Sequence, residues 1–481
     1  KMTLPLALVA LISAFGSSFQ YGYNVSVINS PAPYMQDFYN RTYLERTGVP
    51  MDRGFQTLLW SLTVSMFPLG GLFGSLLVWP MVNNCGRKGT LLINNLFSIA
   101  AAILMGTSEL AKTFEVIILS RVVMGIFAGL ASNVVPMFLG EMSPKNLRGA
   151  VGVVPQLFIT IGILAAQVLG LHSILGNARG WPVLLGLTGI PSLIQLLTLP
   201  FFPESPRYLL IQRGTEEQAR AGTAHPVPLF QSKVPRPQAV SRDGQVPSWG
   251  LCAPVPGFKA AQRGGPHGPC SNPAVVLLQV FYYADRIFES AGVHSSSIQY
   301  VTVSIGAINV VMTLLAVFIV ESLGRRILLL AGFVLCSASC AILTLALNLQ
   351  STVSWMSYLS IVCVIAYIIG HAIGPSKCPQ PPPGAVFNFQ PEPFNFTVGL
   401  LFLYMEAGLG PYSFLIFCAI CVATVLYIFF IVPETKNKTF MEINRIMAKR
   451  NKVEVQESKE LKDSYPLSRQ EEKKSLSSSE M

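Results

Sequence analysis

The 481-residue chain is 51% hydrophobic and 12% charged, with 34 Lys and Arg against 24 Asp and Glu, for a net charge of +10. Ordinary soluble domains carry about 25% charged residues, so the composition excludes a soluble enzyme and predicts an all-α polytopic membrane protein. No soluble domain offers a basic face for nucleic acid, and no nucleophile, base and acid are grouped as an active site needs.

A helix needs about 20 apolar residues to cross a bilayer, and the first such run covers 3–24. It is too long for a cleaved leader and is read as a true crossing. It carries Gln20, Tyr21, Tyr23, Asn24 and Asn29 but no acid. The long loop that follows holds Asn40 in an Asn-x-Thr pattern, the one such site of four with room for a glycan. Further runs lie at 57–80, 89–108, 114–139, 150–171 and 181–202. The second and third are joined by Gly86-Arg87-Lys88. The fourth opens Arg121-x-x-x-Gly125-x-x-x-Gly129, a spacing suited to close helix packing. Glu141 and Arg148 follow it, Gln156 and Gln167 mark the fifth, and Pro203-Glu204-Ser205-Pro206-Arg207 closes the sixth.

Residues 221–272 are rich in Pro and Gly with scattered basic residues, which predicts a disordered segment. Apolar runs resume at 273–292, 299–320 (with Asn309 and Thr313), 327–348 and 353–376. The cluster Glu321-Ser322-Leu323-Gly324-Arg325-Arg326 repeats the earlier Gly-Arg-Lys, about 240 residues on, and Pro433-Glu434-Thr435-Lys436 repeats Pro203-Glu204. Paired signals at one offset predict two homologous halves of six crossings each. Residues 377–392 hold too many prolines for a lipid-exposed helix. The eleventh run, 393–410, is therefore expected to be disrupted, and 411–432 is the twelfth. The domains predicted are a first half, 1–208, a cytoplasmic linker, 209–272, a second half, 273–436, with an aberrant segment at 377–394, and a cytoplasmic tail, 437–481.

Basic residues concentrate in alternate loops, which puts both termini in the cytoplasm. There Arg87, Lys88, Glu141, Arg148, Glu204, Arg207, Glu321, Arg325, Arg326 and Glu434 bring opposite charges to abutting helix ends, as a latch between the halves would. Plain positive-inside anchoring is the alternative. The mid-span amides and tyrosines suit the hydroxyls of a sugar, although each single amide is as readily an interhelical hydrogen bond. His371 is the one histidine of five in mid-span, followed by Gly374-Pro375, a breaker suited to a gating helix; a satisfied core imidazole is the alternative. A proton-coupled carrier needs a titratable carboxylate in its path, and none stands out. The residues thus point to passive passage of a polar, uncharged solute. No metal site, disulfide framework or cofactor site is indicated by the nine scattered cysteines or by any other motif.

Together, Gly86-Arg87-Lys88, Pro203-Glu204-Ser205-Pro206-Arg207, Gly324-Arg325-Arg326 and Pro433-Glu434-Thr435-Lys436 resemble the sugar-porter branch of the major facilitator superfamily. The runs Phe15–Asn24, Val154–Thr160 and Gly370–Pro375 look most similar to the mammalian facilitative fructose (hexose) carriers. The resemblance covers roughly 1–212, 281–376 and 395–450. It implies twelve helices, uniport of a hexose across the plasma membrane, and a lipid-embedded midplane site lined by Tyr21, Gln156, Tyr282, Asn309 and His371. The histidine of Gly-His-Ala implies fructose rather than glucose.

Two departures are abrupt. Where the family opens its seventh crossing with Gln-Gln-x-Ser-Gly-x-Asn, this chain has Asn272-Pro-Ala-Val-Val-Leu-Leu278, and it passes from Ser376 to Asn395 without the family's inner loop. Loss of those contacts leaves a second reading, a transport-inactive sugar-binding or sensor-like paralogue, beside the carrier.

Overall fold

The structure is a computed structural model that describes residues 4–143, 147–205, 208–209, 287–289, 291–323, 325–350, 352–353, 355–374 and 391–431. Tyr282, Arg207, Glu434 and nearly all of the linker and tail lie outside them, as do the side chains of Arg148, Glu321 and Arg325. A helical unit comprises 1–236 and 267–430, and a second unit comprises 237–266 and 431–481.

All regular structure among the described residues is helical. The first crossing runs through α1 (Leu4–Ser13), a π-helical turn (Ala14–Phe19) and α2 (Gln20–Ser26). Its C-terminal end leads to α3 (Ala32–Thr47), a helix in the loop that hydropathy leaves unassigned. Its buried face, Met35, Phe38 and Tyr39, packs in the aromatic group of Trp60, Phe114 and Trp181, and the Tyr39 hydroxyl lies 3.1 Å from Thr63 Oγ1. Exposed pairs Arg46–Glu115 (2.5 Å) and Lys112–Glu45 (3.2 Å) add little to stability there. Asn40 is half-buried, and its Oδ1 accepts the Met51 N–H at 3.1 Å.

The next helical path, α4 (Arg53–Thr107), has 55 residues. At 1.5 Å per residue it is more than twice as long as a hydrocarbon core of about 30 Å. Its one non-helical residue is Gly86 (φ 79°, ψ 179°), which divides it into the second and third crossings. A left-handed φ favours glycine, and there is a second reason for one here. A Cβ on Gly86 would stand 2.6 Å from Glu204 Oε2. Next come α5 (Phe114–Met142) and α6 (Arg148–Leu169). The sixth crossing is built from α7 (Trp181–Gly186), α8 (Gly189–Thr198) and a 3₁₀ turn (Leu199–Phe201).

In the second half α9 (Ser295–Leu323), α10 (Arg325–Leu349) and α11 (Met356–Ile373) precede α12 (Pro391–Leu409), a 3₁₀ turn (Gly410–Tyr412) and α13 (Ser413–Ile431). The break expected in the eleventh crossing falls, over 375–390, outside the described residues; from Pro391 the chain is one helix of 19 residues. Pro391 and Pro393 lie in its first turn, where a missing N–H costs nothing, and its length of about 28 Å spans the hydrocarbon. Nine helical runs among the described residues are long and apolar enough to cross. Arg53–Thr107 holds two crossings and α12 and α13 supply one each, so only the seventh of the twelve crossings lacks a described helix of membrane-spanning length. The halves meet where α6 packs on α9 and where α12 packs on α4.

Close packing of α4 on α5 depends on facing glycines. A Cβ on Gly70 would overlap the Val122 carbonyl, and one on Gly125 would overlap the Phe67 carbonyl and reach within 2.8 Å of Gly70 Cα. Lipid offers helices no hydrophobic drive to associate, so this contact area is what holds them. Gly125→Val is expected to destabilise the chain by about 2–3 kcal/mol, read as a lower midpoint of thermal unfolding in detergent by fluorescence-detected size exclusion. An unchanged midpoint would remove the close-approach account.

Candidate functional site

The polar residues of the first crossing separate by helical face. Gln20 is fully buried; its Oε1 accepts the hydroxyls of Ser98 and Ser192, each at 2.9 Å, and its Nε2 donates to the Thr188 carbonyl. That carbonyl lies where the sixth crossing breaks between α7 and α8. Three residues earlier on the first crossing, the Ser17 hydroxyl donates to Gln195 Oε1 at 3.0 Å. The Tyr23 hydroxyl donates to the Leu184 carbonyl at 2.9 Å, and Asn24 Nδ2 donates to the Gln20 carbonyl at 2.9 Å. Ser17 and Gln20 thus tie the first crossing to the third and sixth, while the Asn24 side chain bonds within its own helix and its Oδ1 has no hydrogen-bond partner among the described residues. Hydropathy misses Ser98, Ser192 and Gln195 as their partners because it carries no information on which residues meet across helices.

Tyr21 lies about 100° around the helix from Gln20 and is half-buried. Its ring is 6.1 Å from that of Phe67, and the Arg121 guanidinium sits 4.6 Å from the centre of the same Phe67 ring. Arg121 is fully buried and donates from Nη1 to the Asn24 carbonyl at 3.0 Å. Gln156 is half-buried on α6. On α9, Asn309 and Thr313 are buried in one stripe, and on α11 His371 is buried, with no hydrogen-bond partner for its Nδ1 among the described residues. Tyr282 cannot be placed with them, lying outside the described residues.

At the other level, four of the charged residues converge where α4 breaks. Arg87 holds Glu141 by two contacts, Nε to Oε2 at 3.0 Å and Nη2 to Oε1 at 3.1 Å, and its guanidinium lies 5.3 Å from the centre of the Tyr208 ring. The Ser205 hydroxyl also donates to Glu141. Glu204 accepts the Lys88 backbone N–H at 3.0 and 3.1 Å and the Ser205 N–H at 2.8 Å. The Lys88 ammonium donates to the carbonyls of Pro200 (2.7 Å) and Phe202 (2.6 Å), closing the C-terminal end of the sixth crossing. In the second half Arg326 does the equivalent, donating from Nη2 to the Phe429 carbonyl of α13 at 2.7 Å. Every one of these described charge contacts stays within a single half.

The sequence matches the family described as sugar (and other) transporter over residues 9–236 and 277–447. The chain belongs to that family. It is 54% identical to the human solute carrier family 2, facilitated glucose transporter member 5, over 97% of each chain. It is 48% identical to the mouse solute carrier family 2, facilitated glucose transporter member 7, over 96% of this chain and 93% of that one. Among solved structures, the E. coli xylose transporter XylE in a partially occluded inward-open conformation aligns with a TM-score of 0.70 at 21% identity, covering 91% of this chain and all of that one. A double-tryptophan XylE mutant aligns at 0.72 and 22%, covering 92% and 99%. The fold of this sugar-transporter family member is accordingly that of the major facilitator carriers.

Arg87 and Glu141 side chains are only 12% and 1% exposed. Breaking so buried a pair leaves an uncompensated charge, so Glu141→Ala is expected to cost about 3–5 kcal/mol. Arg87→Ala with Glu141→Ala should cost less than the two changes summed, with a coupling of about 1–3 kcal/mol in a thermal-unfolding double-mutant cycle. Additive losses would mean that the two side chains act independently.

Proposed function

We propose that the chain carries a hexose, fructose in preference to glucose, down its gradient across the plasma membrane by alternating access of its two halves. The observation that bears most on mechanism is the chemistry around Arg121. Arg121 is charged and wholly buried, and it donates a hydrogen bond to the backbone carbonyl of Asn24, a residue whose side-chain amide cannot take up a proton. The nearly inaccessible carboxylate of Glu141 is paired with Arg87 in the last turn of α5 rather than set in mid-span to load and unload a proton, so facilitated diffusion fits better than proton coupling. The close likeness to facilitated glucose transporters over 97% of the chain favours the carrier over a transport-inactive paralogue.

In this reading both termini are cytoplasmic. Tyr21, Gln156, Asn309, His371 and Tyr282 meet the sugar, amides and imidazole supplying donors and acceptors to its hydroxyls. The Arg87–Glu141–Glu204–Lys88 cluster keeps the inner end of the first half rigid as the halves rock, with Arg326 serving the second half. Arg148, Arg207, Glu321, Arg325 and Glu434 complete the cytoplasmic clasps. Asn40 carries the glycan. In the same reading the halves are 1–208 and 273–436, joined by 209–272 as a cytoplasmic linker and followed by a cytoplasmic tail, 437–481.

The test is uptake of labelled fructose and glucose by liposomes containing the purified chain. Saturable fructose uptake above glucose uptake, unchanged by an imposed proton gradient, is expected. No uptake overturns the carrier reading, and gradient-driven accumulation overturns uniport. His371→Ala is expected to lower fructose kcat/KM about tenfold or more, as losing a buried polar contact does in a site built for hydroxyls, with a smaller effect on glucose. Equal loss for both sugars would remove His371 from selection between them.

A further inference from the structure

The contact between α6 and α9 holds an amide with nothing to bond. Gln167 is buried to 3% exposure on α6, and neither Oε1 nor Nε2 has a hydrogen-bond partner among the described residues. Its Oε1 sits over Gly306 of α9, where a Cβ would overlap it, with Leu164, one turn earlier on α6, against the same glycine. Gly306 belongs to a buried stripe of small and polar residues, Thr302, Gly306, Asn309 and Thr313, that recurs every three or four residues and lies on one face of α9. Asn309 is three residues from the glycine, about 4.5 Å along the axis. Nearer the outer end of the same seam, the His172 N–H donates to Gln299 Oε1 at 3.1 Å. The seam is thus hydrogen-bonded at this end, while Gln167 farther along it has no hydrogen-bond partner among the described residues.

A buried amide left without a partner is unfavourable, and more so in a membrane. Packed helices relieve such a mismatch by moving about one turn rather than by drifting. We propose that Gln167 is a positioning residue of the transport cycle, seated on Gly306 in the conformation described and hydrogen-bonded to Asn309 in the opposite one. Its unpaired amide then raises the free energy of the described conformation and speeds departure from it. Only the uptake arm of the test below rests on the carrier reading; the distance arm does not.

Clickable spectroscopic labels at the exposed residues Leu110 and Thr352 report the separation of the two halves by distance measurement in nanodiscs. Gln167→Met keeps the volume and removes the amide, and is expected to raise the population matching the described conformation at least about fivefold over the other. Asn309→Leu shifts the ratio the same way, and the double variant shifts it no further. Gly306→Ala displaces Gln167 and shifts it in the opposite direction. In fructose uptake, Gln167→Met lowers kcat several-fold with KM within about twofold. The inference is overturned if Gln167→Met leaves the ratio within twofold, if its effect adds independently to that of Asn309→Leu, or if only the melting temperature falls. A single population that no variant moves overturns it as well. Absence of uptake by the unsubstituted chain removes the carrier reading alone, and the distance ratios still judge the pairing.

Discussion

Hydrocarbon gives a polar atom no solvent to turn to, so each one in these crossings must find a partner inside the protein or face a wet path. That constraint sorts the first helix. Ser17, Gln20 and Asn24 spend their hydrogen bonds on the third and sixth crossings and on their own backbone, while Tyr21, one position around, meets the ring of Phe67, which Arg121 also contacts. The sixth crossing answers in kind: the break at Leu187 and Thr188 frees a carbonyl, and Gln20 takes it. A defect in one helix and a polar residue in another are thereby two parts of one contact.

Much of this was legible in the sequence because the signals are local and periodic. The positions of the crossings follow from runs of apolar residues, and Gly86-Arg87-Lys88 announces a break that the left-handed φ of Gly86 supplies. What stayed hidden depends on pairs distant in sequence. Gln20 reads equally well as a sugar contact or as a structural amide, and only the approach of Ser98 and Ser192 decides between them. Helix α3 escaped notice because it is polar outside and pins itself to the bundle with just Met35, Phe38 and Tyr39. The charged clusters suggested contacts between halves, whereas the described partners of Arg87, Lys88 and Arg326 lie within their own.

The repeat in sequence is also a repeat in bonding. Lys88 closes the carbonyl end of the sixth crossing, and Arg326 does so for the twelfth. Each half uses a basic residue just after its glycine to cap its own last helix, whose final carbonyls would otherwise be orphaned. Rigid halves are what a rocking mechanism requires, since strain put into one end must reach the other rather than dissipate in a loose helix terminus.

The bond between Gln20 and Thr188 joins residues 168 positions apart. Chains are synthesised at about 5–20 residues per second, so the first helix enters the bilayer on the order of ten to thirty seconds before its partner exists. Until then the Ser17 hydroxyl and the Gln20 Nε2 lie in lipid or at the insertion machinery without the partners the sixth crossing supplies. The first crossing is thus satisfied in full only when the sixth has been made, and its place in the membrane depends on a segment the ribosome has yet to make.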